Sequence, residues 1–208
     1  MLASIRSGNV SRGIIRQVYH EWISYGLLYD LGGIRELEKQ DSRFIVRPFE
    51  MRDTAELLTG DLVNAGCDER REVLRRYALL AENIPSCYVV EDSVEGEPVF
   101  MQWLITNEYN DAMQKFFMGR FPRLSAGEAL LENAYIPRRH RGKGIMSRAL
   151  CAVVAHAKKI EDLRWLVTFV DKHNAASLKG CLKAGFYPFA TRRDVHMCFH
   201  RLRWREFF

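Results

Sequence analysis

The stretch that most constrains this chain runs from Ala129 to Ala157. An apolar run over Ala129–Ile136 is stopped by Pro137. A basic loop with two glycines follows, Arg138-Arg139-His140-Arg141-Gly142-Lys143-Gly144. Beyond it Ile145, Ala149, Leu150, Val153, Val154 and Ala157 share one helical stripe. The next apolar run, Leu163–Val170, is β-branched enough for a buried central strand. Strand, loop, helix and strand in this order require a parallel crossover, and hence a layered fold of sheet and helices. The loop collects the unbonded N–H groups of a helix N-terminus, and its glycines allow close backbone approach. It reads as a phosphate or pyrophosphate cradle, with Arg139, Arg141 and Lys143 adding charge-assisted contacts.

The flanking sequence completes a mixed pattern. Phe44–Pro48, Cys87–Val90 and Val99–Ile105 read as strands, with the turn at Glu95-Gly96 and Glu97-Pro98. Helices are expected from Asp53, over Glu69–Asn83, over Asn110–Met118 and over Asn174–Ala184, the last closed by Gly185. Phe186–Thr191 and Val195–Leu202 form a final pair of strands. Residues 13–40 look helical, because Ile14, Ile15, Val18, Tyr19, Trp22, Ile23 and Leu27 fall near helical spacing. Residues 1–43 therefore form an N-terminal helical extension packed on a main domain over 44–208, since about 40 residues rarely hold a core alone.

The composition narrows the class. Of the 208 residues 48% are apolar and 27% charged, which excludes collagen, low-complexity disorder and a multi-span membrane protein. Five widely spaced cysteines without a CxxC pair argue against a secreted disulfide framework. No secretory signal or long apolar span is visible, so the expected location is cytoplasmic, with no membrane partner. The net charge of +5 is mild. Clusters at 138–143 and at Arg201, Arg203 and Arg205 lack the dense basic stripe with interleaved aromatics of a nucleic-acid binder. His196, Cys198 and His200 alternate along one strand, but no second cluster completes a metal site, so no metal is expected.

Three phosphate cradles compete for the loop. The P-loop string GxxxxGK[ST] is absent, and the dinucleotide string GxGxxG has Ser147 in its third place. The string [QR]xxGx[GA] fits Arg139-His140-Arg141-Gly142-Lys143-Gly144 completely. A second motif follows one strand later, with Asn174, Ser177 and Cys181 ahead of Gly185-Phe186. With these two motifs, over 132–186, the chain resembles the GNAT superfamily of N-acetyltransferases.

The resemblance implies an α+β (mixed α/β) GNAT fold. Its central, mostly antiparallel sheet carries two splayed parallel strands and is flanked by helices. It implies acetyl-CoA as cosubstrate, wedged between strands 129–136 and 163–171. Ala134, Tyr135 and Ile136 would pair with the pantetheine arm, and the amides of Arg141, Gly142, Lys143, Gly144, Ile145 and Met146 would hold the pyrophosphate. Asn174 and Ser177 would approach from the other side. It also implies direct attack by an amine, whose proton needs an acceptor because alkylamines are mostly protonated at neutral pH. Glu132 is the first candidate base, and Glu128 on the same strand face the second. Cys181 stands where many relatives carry a proton-donating tyrosine, and Tyr187 and Tyr135 are alternative donors.

The expected activity is thus N-acetylation of a primary amine on a small molecule, under a 118–122 loop; of the aromatics Trp22, Trp103, Tyr109, Phe116, Phe117 and Phe121 some line its pocket and most pack the core. The alternative is a non-catalytic acyl-CoA-binding sensor of the same fold. Room is left for a homodimer.

Overall fold

The computed structural model describes residues 19–33, 41–60, 62, 65–82, 84, 86–197 and 200–207, with side chains described from 21 to 195. Among these described residues, eight strands form one sheet. They are β1 (Tyr19–Asp30), β2 (Phe44–Pro48), β3 (Cys87–Asp92), β4 (Glu97–Thr106), β5 (Glu128–Tyr135), β6 (Trp165–Asp171), β7 (Tyr187–Met197) and β8 (His200–Phe207). Their order across the sheet is β2-β3-β4-β5-β6-β1-β7-β8. Four α-helices flank it: α1 (Cys67–Ala81), α2 (Asn110–Phe116), α3 (Ile145–Ala157) and α4 (Ala175–Lys183). The expected helix after Asp53 is a 3-10 turn, Met51–Asp53, running into a π-helical turn, Ala55–Thr59. No helix among the described residues is long and apolar enough to cross a membrane.

The strand alternation sorts the core into two layers. On one face Leu27, Phe100, Leu131, Leu166 and Val170 pack against α3 and α4. On the other, Met101, Trp103, Leu130 and Tyr135 pack with Val73 and Leu79 of α1 and Met113 of α2. Only β5 and β6 run parallel, as the crossover through α3 requires.

The helical reading of residues 13–40 is corrected where the structure describes a strand. Residues 19–30 are a strand, and it lies inside the sheet between β6 and β7. The helical spacing was a coincidence of neighbouring apolar residues. Ile23, Tyr25, Leu27, Tyr29 and Leu31 also alternate strictly, and aromatic and β-branched residues around Gly26 favour a pleated surface over a helix. Gly26 marks the close approach: a Cβ there would stand 3.0 Å from the Phe189 ring and 3.1 Å from that of Phe169.

The final pair of strands is corrected too. β7 continues unbroken through Arg192-Arg193-Asp194, and pairs with β8 from Ala190↔Phe207 to Met197↔His200. The charged triplet reads as a turn in isolation. In the fold Arg192 and Asp194 are almost fully buried as an ion pair with Nε to Oδ2 at 3.2 Å, while Arg193 pairs with Glu21 on β1. Cys198 lies outside the described residues, as do the side chains of His196 and His200.

α3 and α4 touch through Gly180. A Cβ there would lie 2.2 Å from Met146 Cγ and 2.9 Å from its Cβ, near-backbone atoms that cannot swing away. Gly180→Ala is expected to destabilise the fold by about 1–3 kcal/mol despite the better helix propensity of alanine. Urea denaturation checks this through a lower midpoint at unchanged slope.

Candidate active site

β5 and β6 pair only from Glu128↔Trp165 to Leu131↔Thr168. Beyond that point both strands continue, β5 to Tyr135 and β6 to Asp171, with no ladder between them. The cause lies in β5. Its register against β4 shifts between Met101↔Tyr135 and Trp103↔Glu132, and Asn133 adopts φ 56, so a bulge bends the strand away. A cleft opens in the sheet, with Glu132 at its apex.

The glycine loop closes one end. Arg138–His140 form a 3-10 turn, Gly142 and Gly144 have φ 76 and 70, and Gly144 caps α3 in the left-handed conformation. The loop arginines are held by carboxylates from three directions. Arg139 pairs with Glu56 at 2.6 Å and Glu97 at 3.1 Å, and Arg138 pairs with Glu69. Arg141 donates to the Ile136 carbonyl at 3.0 Å and faces Glu69 at 3.6 Å. Such exposed pairs contribute little stability each, but they set where the loop sits against α1 and β4. Lys143 is exposed at the rim. In this arrangement Arg139 and Arg141 anchor the loop ahead of α3.

The other expected residues divide clearly. Ala134 and Tyr135 lie on the splayed end of β5 with Ile136 just beyond it, and Ile145 and Met146 open α3. Asn174 caps α4, its Oδ1 accepting the Ser177 N–H at 3.1 Å, so half of its side chain serves the helix. Asp171 accepts the His173 N–H at 2.8 Å and bonds the Trp22 indole, which ties the β6 terminus to β1.

Glu132 stands on the face of Leu130, toward α1 and α2. Residue 132 keeps some solvent contact at the cleft, while its carboxyl is enclosed, and burial pushes its pKa above the ordinary carboxylate range. The charges of Arg75, Arg120 and Arg192 oppose that rise, and Glu72 adds to it. Glu128 lies at the opposite end of the strand, four residues and about 13 Å away, where its carboxylate accepts the Ser125 N–H at 2.8 Å. Cys181 is 2% exposed in the core on the α3 and α4 face, and burial pushes its thiol up to about 12, a poor proton donor. Tyr187 is paired with Leu28 toward the far end of the sheet, well away from the splay. Tyr135 is at the cleft, with the Arg76 guanidinium 4.1 Å from its ring centre.

A cavity of about 270 Å³ is lined by Arg75, Phe116, Phe117, Met118 and Arg120, and the charges of its two arginines act on Glu132. Phe116, Phe117 and the 118–122 loop thus take part in the pocket, whereas Trp103 is wholly buried in the core. The Arg192 guanidinium sits 5.2 Å from the Phe121 ring centre and 4.8 Å from that of Phe169, and donates to Ser24 Oγ at 3.0 Å. Ser24 and Trp22 come from β1; Trp22 was among the expected aromatics, whereas the helical reading of this segment hid Ser24. Arg76 carried a legible signal: it falls three residues after Val73 and three before Leu79, a charge on the apolar stripe of α1.

Comparison with known proteins agrees with this architecture. No curated protein sequence matches the chain. Among solved structures, a GCN5-related N-acetyltransferase from Sphaerobacter thermophilus superposes with a TM-score of 0.55 at 14% identity, covering 98% of this chain and 59% of its own. A GNAT-family acetyltransferase from Colwellia psychrerythraea gives 0.55 at 15%, covering 92% and 62%. A tandem GNAT protein from the clavulanic acid biosynthesis pathway gives 0.52 at 10%, covering 100% and 62%. The chain therefore spans about three fifths of the length of these structures, and at such identity they speak for the fold alone. The sequence profile of the acetyltransferase (GNAT) domain matches residues 43–187, from β2 to the start of β7. With that profile covering well over half of the chain, this protein belongs to the GNAT acetyltransferase family.

Proposed function

We infer that the protein is an acetyl-CoA-dependent N-acetyltransferase acting on the primary amine of a small molecule. The observation that carries this reading is Glu132: an enclosed carboxyl with a raised pKa, at the apex of the splay and within reach of the charges of Arg75 and Arg120, which line a cavity of small-molecule size. A non-catalytic sensor has no use for such a group, whose burial lowers stability.

Two observations support a fit to coenzyme A. Oε1 of Gln102 and Nδ2 of Asn133, on the two strands of the bulge, are buried without a hydrogen-bond partner. The amides of a pantetheine arm supply both a donor and an acceptor for them. A Cβ placed on Gly142 or Gly144 would meet nothing within 4 Å, so the space over the loop is open for a pyrophosphate.

When bound, acetyl-CoA supplies the acetyl group as an activated thioester. The chain provides the rest. Loop amides from Arg141 to Met146 hold the diphosphate, and Ala134 to Ile136 orient the arm. Glu132 takes the proton from the acceptor nitrogen, for which a carboxyl with raised pKa is well suited. Phe116 and Phe117 give the cavity an apolar wall. Cys181 is left out of the proton path, and solvent at the cleft serves as the acid. Unbridged Cys67, Cys87 and Cys181 support a reducing, cytoplasmic setting.

The test is a melting experiment with coenzyme A. Saturating coenzyme A at about 100 times its Kd is expected to add about 2.7 kcal/mol of stability by mass action. Gly144→Asp should abolish the shift, because the new carboxylate occupies the diphosphate position. Stabilisation by NAD or ATP but not by coenzyme A would overturn the assignment.

A further inference from the structure

The walls around Glu132 carry more positive charge than the site can satisfy by itself. Arg192 is matched by Asp194 at 3.2 Å, and Arg75 meets Glu72 at a long 3.6 Å. Arg120 has no such match: among the described residues no carboxylate lies within ion-pair distance of it. Its Nε is buried without a hydrogen-bond partner. Its guanidinium lies 5.9 Å from the Trp22 ring centre, and it lines the same cavity as Arg75. One helical residue on from Arg75, the Arg76 side chain is 6% exposed, stacks on Tyr135, and also leaves Nε buried and unbonded.

Buried guanidinium donors without acceptors are costly, and proteins rarely keep them unless something arrives to accept. Arginine presents a planar fork of N–H groups that matches an oxyanion in two-point geometry. Here two such forks, Arg75 and Arg120, flank a cavity of about 270 Å³ whose remaining walls are Phe116, Phe117 and Met118. The aliphatic and aromatic walls suit an apolar body, and the forks suit a negative group at its end.

We propose that Arg75 and Arg120 form a carboxylate-binding subsite, so that the acceptor is an amine bearing its own carboxylate, an apolar compound of amino-acid size. The inference rests on the acetyltransferase reading above. Geometry links the two halves of the acceptor. Arg75 and Arg120 line one cavity and their charges also reach the Glu132 carboxyl, so a carboxylate held between them keeps the acceptor in the part of the site that Glu132 serves. A polyamine or an aminoglycoside, which carries further positive charge, meets repulsion at the same place. Selectivity then arises from an unfavourable contact with the wrong class as much as from attraction to the right one.

The test uses equilibrium binding, so it does not depend on turnover. Protein saturated with coenzyme A is titrated with the N-acetyl derivatives of glycine, leucine and phenylalanine, each against its carboxamide. At least one acid is expected to bind tenfold or more tightly than its amide. Arg120→Gln should remove that preference, Arg75→Gln should reduce it, and Arg120→Lys should retain part of it. Amides that bind as tightly as the acids, a preference that survives the Arg75→Gln and Arg120→Gln double variant, or no binding of any acid at millimolar concentration overturns the subsite. The melting shift with coenzyme A is read on the same samples. A shift without acid preference sinks the subsite alone and shows that the variants fold. A wild-type protein with no shift sinks the acetyltransferase reading, and the subsite with it.

Discussion

Glu132→Gln is expected to lower kcat by about 10²-fold or more, while the melting shift produced by coenzyme A stays unchanged. The substitution keeps the shape and removes the proton acceptor. Its pH dependence follows from the direction of the shift. Wild-type Glu132 ionises only above the ordinary carboxylate value, so activity falls as pH drops through that raised value. The glutamine variant loses that limb, and its deficit shrinks at high pH, where more of the amine is already neutral. Stability moves the opposite way. A carboxyl that holds its proton more tightly when folded stabilises the protein fully below its unfolded pKa, and that contribution is lost as pH rises through its folded pKa. Relative to the wild type, Glu132→Gln should therefore melt higher at about pH 8 than at about pH 4. Glu128→Gln, which alters a turn at the far end of β5, should leave kcat nearly unchanged. Unchanged kcat in Glu132→Gln would move proton acceptance to another group.

The other large effect is on the fold. Asp194→Ala is expected to cost about 3–5 kcal/mol, because it strips the buried Arg192 guanidinium of the carboxylate at 3.2 Å. That is a large fraction of the stability of an ordinary domain. Urea denaturation should show a much lower midpoint at unchanged slope. Replacing both partners, as Arg192→Met with Asp194→Leu, should recover most of the loss, since the guanidinium is then no longer buried without its match. A loss below about 1 kcal/mol in Asp194→Ala would mean that Ser24 and the rings of Phe121 and Phe169 hold the charge without Asp194.

Legibility from sequence followed the range of the physics. The crossover β5-α3-β6, the glycine loop and the α4 cap rest on local chemistry: a proline stop, left-handed glycines, an apolar stripe, and an asparagine that bonds an amide three residues on. Each is decided within a few residues, so each could be read. Glu132 could be ranked ahead of Glu128 from its place before the loop, but nothing local said where either carboxylate would stand in the fold. That placement needed the bulge at Asn133, which fixes where the ladder to β6 ends, and the bulge is a property of three strands at once. Cys181 likewise kept its chemical possibilities until its burial on the far face removed them.

What only the tertiary structure decided came from residues far apart in the chain. Residues 19–30 carry both a helical and an alternating pattern, and the open position between β6 and β7 selected the strand. Arg192 and Asp194 look like a polar turn until Ser24, Phe121 and Phe169 close over them. Arg75 belongs to α1 and Arg120 to the loop after α2, and nothing in their spacing says that they flank one cavity and act on Glu132. By itself the sequence determined the family, the loop and the candidate base, because backbone stereochemistry and local hydrogen bonding specify them. The depth of the pocket, its charge and the strand that walls it were set by packing between distant segments, where a residue's role depends on which neighbours the fold brings to it.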